Sequence, residues 1–142
     1  MNPQLIYFPC FAMLILTFVI AIRMLIVRVA AIKSKQVEMK HFKTYDYGPT
    51  PPSIMTQAGR NFSNLFEVPT LFYMVCGFAL MTNQVDMMML VLAWLYVVLR
   101  CIHSFIHVTQ NKISPRMMIY SISWVVLLIM SNLLAVRILL GS

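Results

Sequence analysis

The sequence predicts an all-α membrane protein, a bundle of four transmembrane helices forming a single domain over residues 1–142. Three observations predict it. Four apolar runs are each long enough to cross about 30 Å of hydrocarbon, which takes about 20 helical residues. The chain is 61% hydrophobic and only 11% charged, with a mean hydropathy of +0.81, more apolar surface than a soluble domain of this size buries. Most of the charges are clustered in or beside a few connecting segments, so lipid rather than a protein core is the solvent of the remainder.

The first span covers approximately residues 5–32. Its apolar run is uninterrupted from Leu5 to Ile22 and continues around Arg23 and Arg28. It lacks a basic leading region and an obvious cleavage site, so it does not read as an ordinary signal peptide. The second span, approximately 61–81, carries Glu67 and Pro69. The third, approximately 85–108, carries Arg100, His103 and His107. The fourth, approximately 116–140, carries Asn132 and Arg137. It follows Ser114-Pro115-Arg116, in which Ser suits a helix cap and Pro the first helical position.

The connections differ in charge. The first loop holds Lys33, Lys35, Lys40 and Lys43, then passes through Gly48-Pro49-Thr50-Pro51-Pro52, which no helix accommodates. The second, around Thr82–Asp86, has no Lys or Arg; the third holds Lys112 and leads to Arg116. The N-terminal tail is free of basic residues. By the positive-inside rule the first and third loops are cytoplasmic and both termini lie on the far side. Arg137 is the exception, near enough to the outer end of its span to snorkel to that interface. The net charge of +7 is clustered rather than spread, which fits basic loops against anionic lipid headgroups and argues against a nucleic-acid partner.

Ionisable side chains inside a span are costly and need a partner or a task. Arg60, Asn64 and Glu67 fall at i, i+4 and i+7, one face of the second helix. Arg100, His103 and His107 fall at i, i+3 and i+7 on the third, with Asn111 one turn further. Because these helices run in opposite directions, both clusters lie toward the same interface. Glu67 is the expected partner of Arg100, since either charge alone would be uncompensated. With Arg28 and Arg116 added, cations outnumber the single acid, which predicts an anionic ligand with several hydrogen-bonding groups. His103 and His107 lack the Glu of a zinc-protease motif and have no Cys or Asp nearby in sequence, so no metal site is expected. Cys10, Cys76 and Cys101 lie singly in apolar runs and read as small apolar residues; the methionines read as apolar filler.

The string Arg60-Asn61-Phe62-Ser63-Asn64-Leu65-Phe66-Glu67-Val68-Pro69 resembles the second-helix signature of the MAPEG family, the membrane-associated proteins of eicosanoid and glutathione metabolism, and its bacterial members in particular. Arg100-x2-His103-x3-His107, followed by Arg116, is similar to the pattern of its prostaglandin-synthase-like branch. The resemblance covers essentially the whole chain and implies a homotrimer that binds glutathione between subunits near the cytoplasmic interface. It implies that Arg60, Asn64 and Glu67 hold the glutathione backbone, with Arg100 and His107 in the same binding set. Arg28 and His103 would reach its carboxylates from the adjacent subunit, and Arg116 would sit beside the sulfur as the catalytic residue. The position of His107 is commonly Tyr in that family. The implied function is a glutathione-dependent membrane transferase or peroxidase acting on lipophilic electrophiles or hydroperoxides, in a bacterial inner membrane. The alternative is a non-catalytic protein of the same fold that binds lipid or a partner protein. A transporter using Glu67 as its coupling carboxylate is disfavoured by the surplus of cations and the lack of a repeat.

Overall fold

The four apolar runs become four long helices in a computed structural model that describes residues 1–45 and 48–140. A 3₁₀ turn, Pro3–Ile6, opens the chain, with the Asn2 side chain accepting from the Gln4 N–H. It leads into α1 (Tyr7–Lys33); a short helix α2 (His41–Thr44) follows, then α3 (Ser53–Met81), α4 (Met87–Val108) and α5 (Ile113–Leu140). Among the described residues there are no strands, and α1, α3, α4 and α5 are each long and apolar enough to cross a membrane. The shortest, α4, has 22 residues and so is about 33 Å long.

Two starts differ from the hydropathy pattern. α3 begins at Ser53, eight residues before the apolar run at 61, directly after Pro51-Pro52. Hydropathy marks where lipid begins; the helix continues past that boundary because nothing in Ser53–Arg60 breaks it. α5 begins at Ile113, so Ser114 falls inside the first turn instead of capping it. Pro115 is still in that turn, where a missing N–H costs nothing.

The remaining ends have local causes. Asp86 is extended and its carboxylate accepts from the Met89 N–H at 2.8 Å, capping α4. Past the ends of α3 and α4, Asn83 (φ 56°) and Asn111 (φ 48°) are left-handed, a conformation Asn tolerates better than most residues. The turn after α4 closes with the Asn111 N–H on the Ile106 carbonyl at 2.8 Å.

The helices alternate in direction, and α4 is the most buried of the four. Met13 of α1, Phe72 and Ala79 of α3, Met89, Ala93 and Tyr96 of α4 and Met130 of α5 form one fully buried core. The Phe72 and Tyr96 rings stack with centroids 4.4 Å apart. Pro69 is buried inside α3 and cannot bond the Leu65 carbonyl. A second cluster, Ala31, Val37 and Met55 with Val27 and Phe42, fastens the loop after α1 against the start of α3.

At the end away from the lysines, Arg137 does more than snorkel. Its Nη2 meets Asp86 Oδ2 at 2.6 Å and its Nη1 donates to the Gln84 carbonyl at 3.3 Å. This is the one ion pair among the described residues, and it ties α5 to the α3–α4 turn. All three cysteines are free.

Candidate functional site

The end of α1, the starts of α3 and α5 and the end of α4 meet at the basic end of the bundle. α4 turns Arg100, His103, Ser104 and His107 inward, and all four are buried. Ser104 donates to Asn61 Oδ1 at 3.3 Å, and the Gln57 amide donates to the His107 carbonyl. Arg23 of α1 donates to the Val108 carbonyl at 3.2 Å, a cation against the negative end of α4.

Arg100 is 0% exposed. Its Nη2 donates to the Asn64 carbonyl at 2.7 Å, and its guanidinium lies 5.5 Å from the Tyr120 ring centroid, within cation–π range. Nε and Nη1 have no partner among the described residues.

The bonds around the two histidines fix their tautomers. His103 Nδ1 is 3.2 Å from the Arg116 carbonyl. A carbonyl only accepts, so Nδ1 carries the proton and Nε2, which has no partner, presents a lone pair. Arg116 Nη1 is 3.4 Å from His107 Nε2. A guanidinium only donates, so Nε2 accepts and the proton is on Nδ1, a buried N–H without an acceptor. The same Nη1 donates to Asn111 Oδ1 at 2.5 Å. Arg116 is therefore held from both sides by the end of α4.

Two cavities share Arg116 as a wall. The smaller, about 160 Å³, is bounded by Asn64, His103, Arg116, Met117 and Tyr120. The larger, about 370 Å³, opens toward the start of α3 and includes Ser53, Thr56, Arg60, His107 and Arg116. Five of the sequence-predicted residues, Arg60, Asn64, His103, His107 and Arg116, thus line one of two adjoining spaces.

Three do not. Arg100 lies behind the smaller cavity and supports it through Asn64 and Tyr120. Arg28 of α1 lies over the rings of Phe42 and Tyr45, at 5.6 and 6.0 Å. Glu67 is exposed, and the expected Glu67–Arg100 ion pair is not formed. The α3 face that packs on α4 carries Asn61, Leu65, Val68 and Phe72, which leaves Glu67 on the outward side. Arg100 takes a backbone carbonyl instead.

Sequence reasoning did not single out Gln57, Asn61 or Tyr120. Gln57 stands one turn before Asn61 and two turns before Asn64, and Tyr120 stands one turn after Arg116. That helical spacing of three, four and seven residues was the available signal. No group of three metal-ligating side chains occurs among the described residues.

The sequence profile of the MAPEG family matches residues 6–136. Comparison with curated proteins and with solved structures gave no match. The profile spans all four membrane helices and every residue lining the two cavities, so the chain belongs to the MAPEG family, the multi-pass membrane proteins linked in general to eicosanoid and glutathione metabolism.

Proposed function

We propose that the chain is a glutathione-dependent membrane transferase or peroxidase acting on lipophilic electrophiles or hydroperoxides. The observation that carries this reading is Arg116, a half-buried guanidinium fixed by Asn111 and His107 in the shared wall of two cavities. A free thiol titrates near ~8.5, and only its thiolate is a strong nucleophile. Arg116 supplies a fixed positive charge, and the start of α5 adds the positive end of a helix dipole. His103 lines the same cavity, and its Nε2 lone pair has no partner among the described residues; in this reading it is the acceptor for the thiol proton. Asn64 and Arg60 supply an amide and a bidentate cation for the peptide groups and carboxylates of the tripeptide.

The lipophilic co-substrate has an approach from the bilayer. Leu71, Phe78, Trp124 and Leu128 border an apolar groove of about 330 Å³ between α3 and α5. The Tyr120 and Trp124 rings, 6.4 Å apart, stand between this groove and the smaller cavity.

The working unit in this reading is a homotrimer. Glu67 and Ser63 are exposed on a span, as is Arg60 at the start of the same stripe. A carboxylate facing hydrocarbon costs several kcal/mol, and a neighbouring copy would cover it. Arg28 would then act across that contact. The basic end faces the cytoplasm, most naturally of a bacterial inner membrane, by the charge of its loops.

Calorimetry with glutathione on the purified chain tests the reading, with thiolate absorbance followed in wild type and Arg116→Ala. Micromolar-to-millimolar binding with a thiolate signal lost in the variant is the expected result. No binding to a folded trimer would overturn it and favour a non-catalytic lipid- or partner-binding protein.

A further inference from the structure

Sequence order separates the three cysteines, but the fold brings two of them together. We propose that Cys10 of α1 and Cys76 of α3 are a redox-active dithiol, which organic hydroperoxides in the lipid convert to a disulfide joining the two helices.

Cys10 lies in the first turn of α1, and Cys76 lies about one and a half turns before the end of α3. The two helices run in opposite directions, so both residues sit near the end of the bundle away from the lysines. There the side chains meet, thiol against thiol, where α1 packs on α3. Ile6 and Met13 stand one turn to either side of Cys10, and Phe72 and Ala79 one turn to either side of Cys76. All four are buried in the main core, so close packing on both helices holds the pair in register. A disulfide bond is about 2 Å long. Thiols that already touch close it by a small side-chain shift, with the bundle unchanged.

Exposure gives the two sulfurs different parts. Cys10 is half-buried on α1, the least buried of the four spans, whereas Cys76 is 1% exposed. An apolar oxidant arriving from the lipid therefore meets Cys10 first. The Cys10 sulfur attacks one peroxide oxygen, the O–O bond breaks, and the alcohol leaves with the thiol proton. Cys10 is then a sulfenic acid, which condenses with a neighbouring thiol. The Cys76 sulfur displaces its hydroxyl, which leaves with the Cys76 proton as water. Two thiols and one hydroperoxide thus give one disulfide, one alcohol and one water; the sulfurs lose two electrons and the peroxide gains them. Cys101, exposed on α4, takes no part. The charge of the loops puts this end of the bundle away from the cytoplasm and its thiol reductants, so the bond persists once made.

The test uses the full chain in an uncharged detergent, carrying Cys101→Ser so that only the pair is read. The protein is first reduced with a phosphine, then freed of it and treated with cumene hydroperoxide. No glutathione is present, so the result is independent of the proposed activity. Both thiols should disappear together, with one hydroperoxide consumed per chain. Mass spectrometry of the unreduced digest should find Cys10 linked to Cys76 within one chain. The unfolding temperature should rise by several degrees, because the cross-link closes a long loop, and fall back when the phosphine is restored. With Cys10→Ala added, Cys76 should be oxidised at least tenfold more slowly, since it then has neither partner nor access. The inference is overturned if the folded protein keeps both thiols through this treatment. It is equally overturned if the linkage joins two chains, or if Cys76 is oxidised as fast without Cys10 as with it.

Discussion

Asn111 does two things that a substitution can separate. It takes a left-handed backbone at φ 48° and accepts from Arg116 at 2.5 Å. Asn111→Gly keeps the turn without strain and loses the anchor. Its unfolding temperature should stay near that of the wild type, while the glutathione thiolate absorbance falls. Asn111→Ala should lose the same absorbance and about 1 kcal/mol of stability as well. Equal thiolate signal in wild type and Asn111→Gly would show that Arg116 needs no anchor. Asp86 is the second residue whose role is separable. The Arg137 guanidinium bonded to it, and then the Met89 N–H, hold its carboxyl below the usual carboxylate range. A depressed folded-state pKa means that the stabilisation is present above the unfolded value, ~3.9, and is lost as pH falls through the lower folded value. The Asp86 side chain is 49% exposed, so solvent screening limits the pair to about 0.5 kcal/mol. Asp86→Asn keeps a capping oxygen and loses the charge. It should unfold slightly below the wild type at pH 7, and the difference should vanish on acidification below the carboxylate range.

The helices are held to one another by apolar stacking along most of their length and by polar bonds at the basic end. Phe72 of α3 and Tyr96 of α4 are both fully buried and stacked. Phe72→Ala opens a cavity at that crossing and should cost about 3–5 kcal/mol in detergent unfolding. Tyr96→Phe keeps the stack and removes a hydroxyl that has no partner among the described residues. It should be at least as stable as the wild type, since a buried polar group without a partner is a cost. A large loss in Tyr96→Phe would mean that its hydroxyl is satisfied in solution. Nearer the basic end, Asn61–Ser104 and Asn64–Arg100 join the same two helices through hydrogen bonds. There the packing surface changes from apolar to polar within about two turns, and the cavities begin where it changes.

At the scale of the whole molecule, the single chain leaves Arg60, Ser63 and Glu67 exposed along one side of α3. Mass measurement of the detergent-solubilised protein should give three copies of the 16.4 kDa chain. A monomer that still binds glutathione would place the whole site within one chain and leave Arg28 and Glu67 without a role in it. Arg28→Gln should weaken glutathione binding in the assembled protein without loosening the core, because Arg28 lies outside the main packed cluster.

How much of this was legible in sequence follows from what each feature depends on. Lipid fixes a span's length and composition one residue at a time, so the four helices, the loop charges and the gathering of polar residues at one end were readable from the order of residues alone. Helical periodicity then placed Arg60 with Asn64, and His103 with His107, on common faces. The rest depended on rotation and neighbours, which no single helix encodes. Periodicity put Glu67 and Arg100 at similar depth, but the turn of α3 about its axis points Glu67 outward and gives Arg100 the Asn64 carbonyl. The histidine tautomers, the anchoring of Arg116 by Asn111 and the clamp of Arg137 on Asp86 each need two separate segments at hydrogen-bonding distance. Hydrophobicity acts locally and without direction, so sequence alone determined that the chain is a four-helix membrane protein with a cationic end. Hydrogen bonds are directional and join distant residues, so only the tertiary structure decided which cations face a cavity, which face the core and which donors remain free.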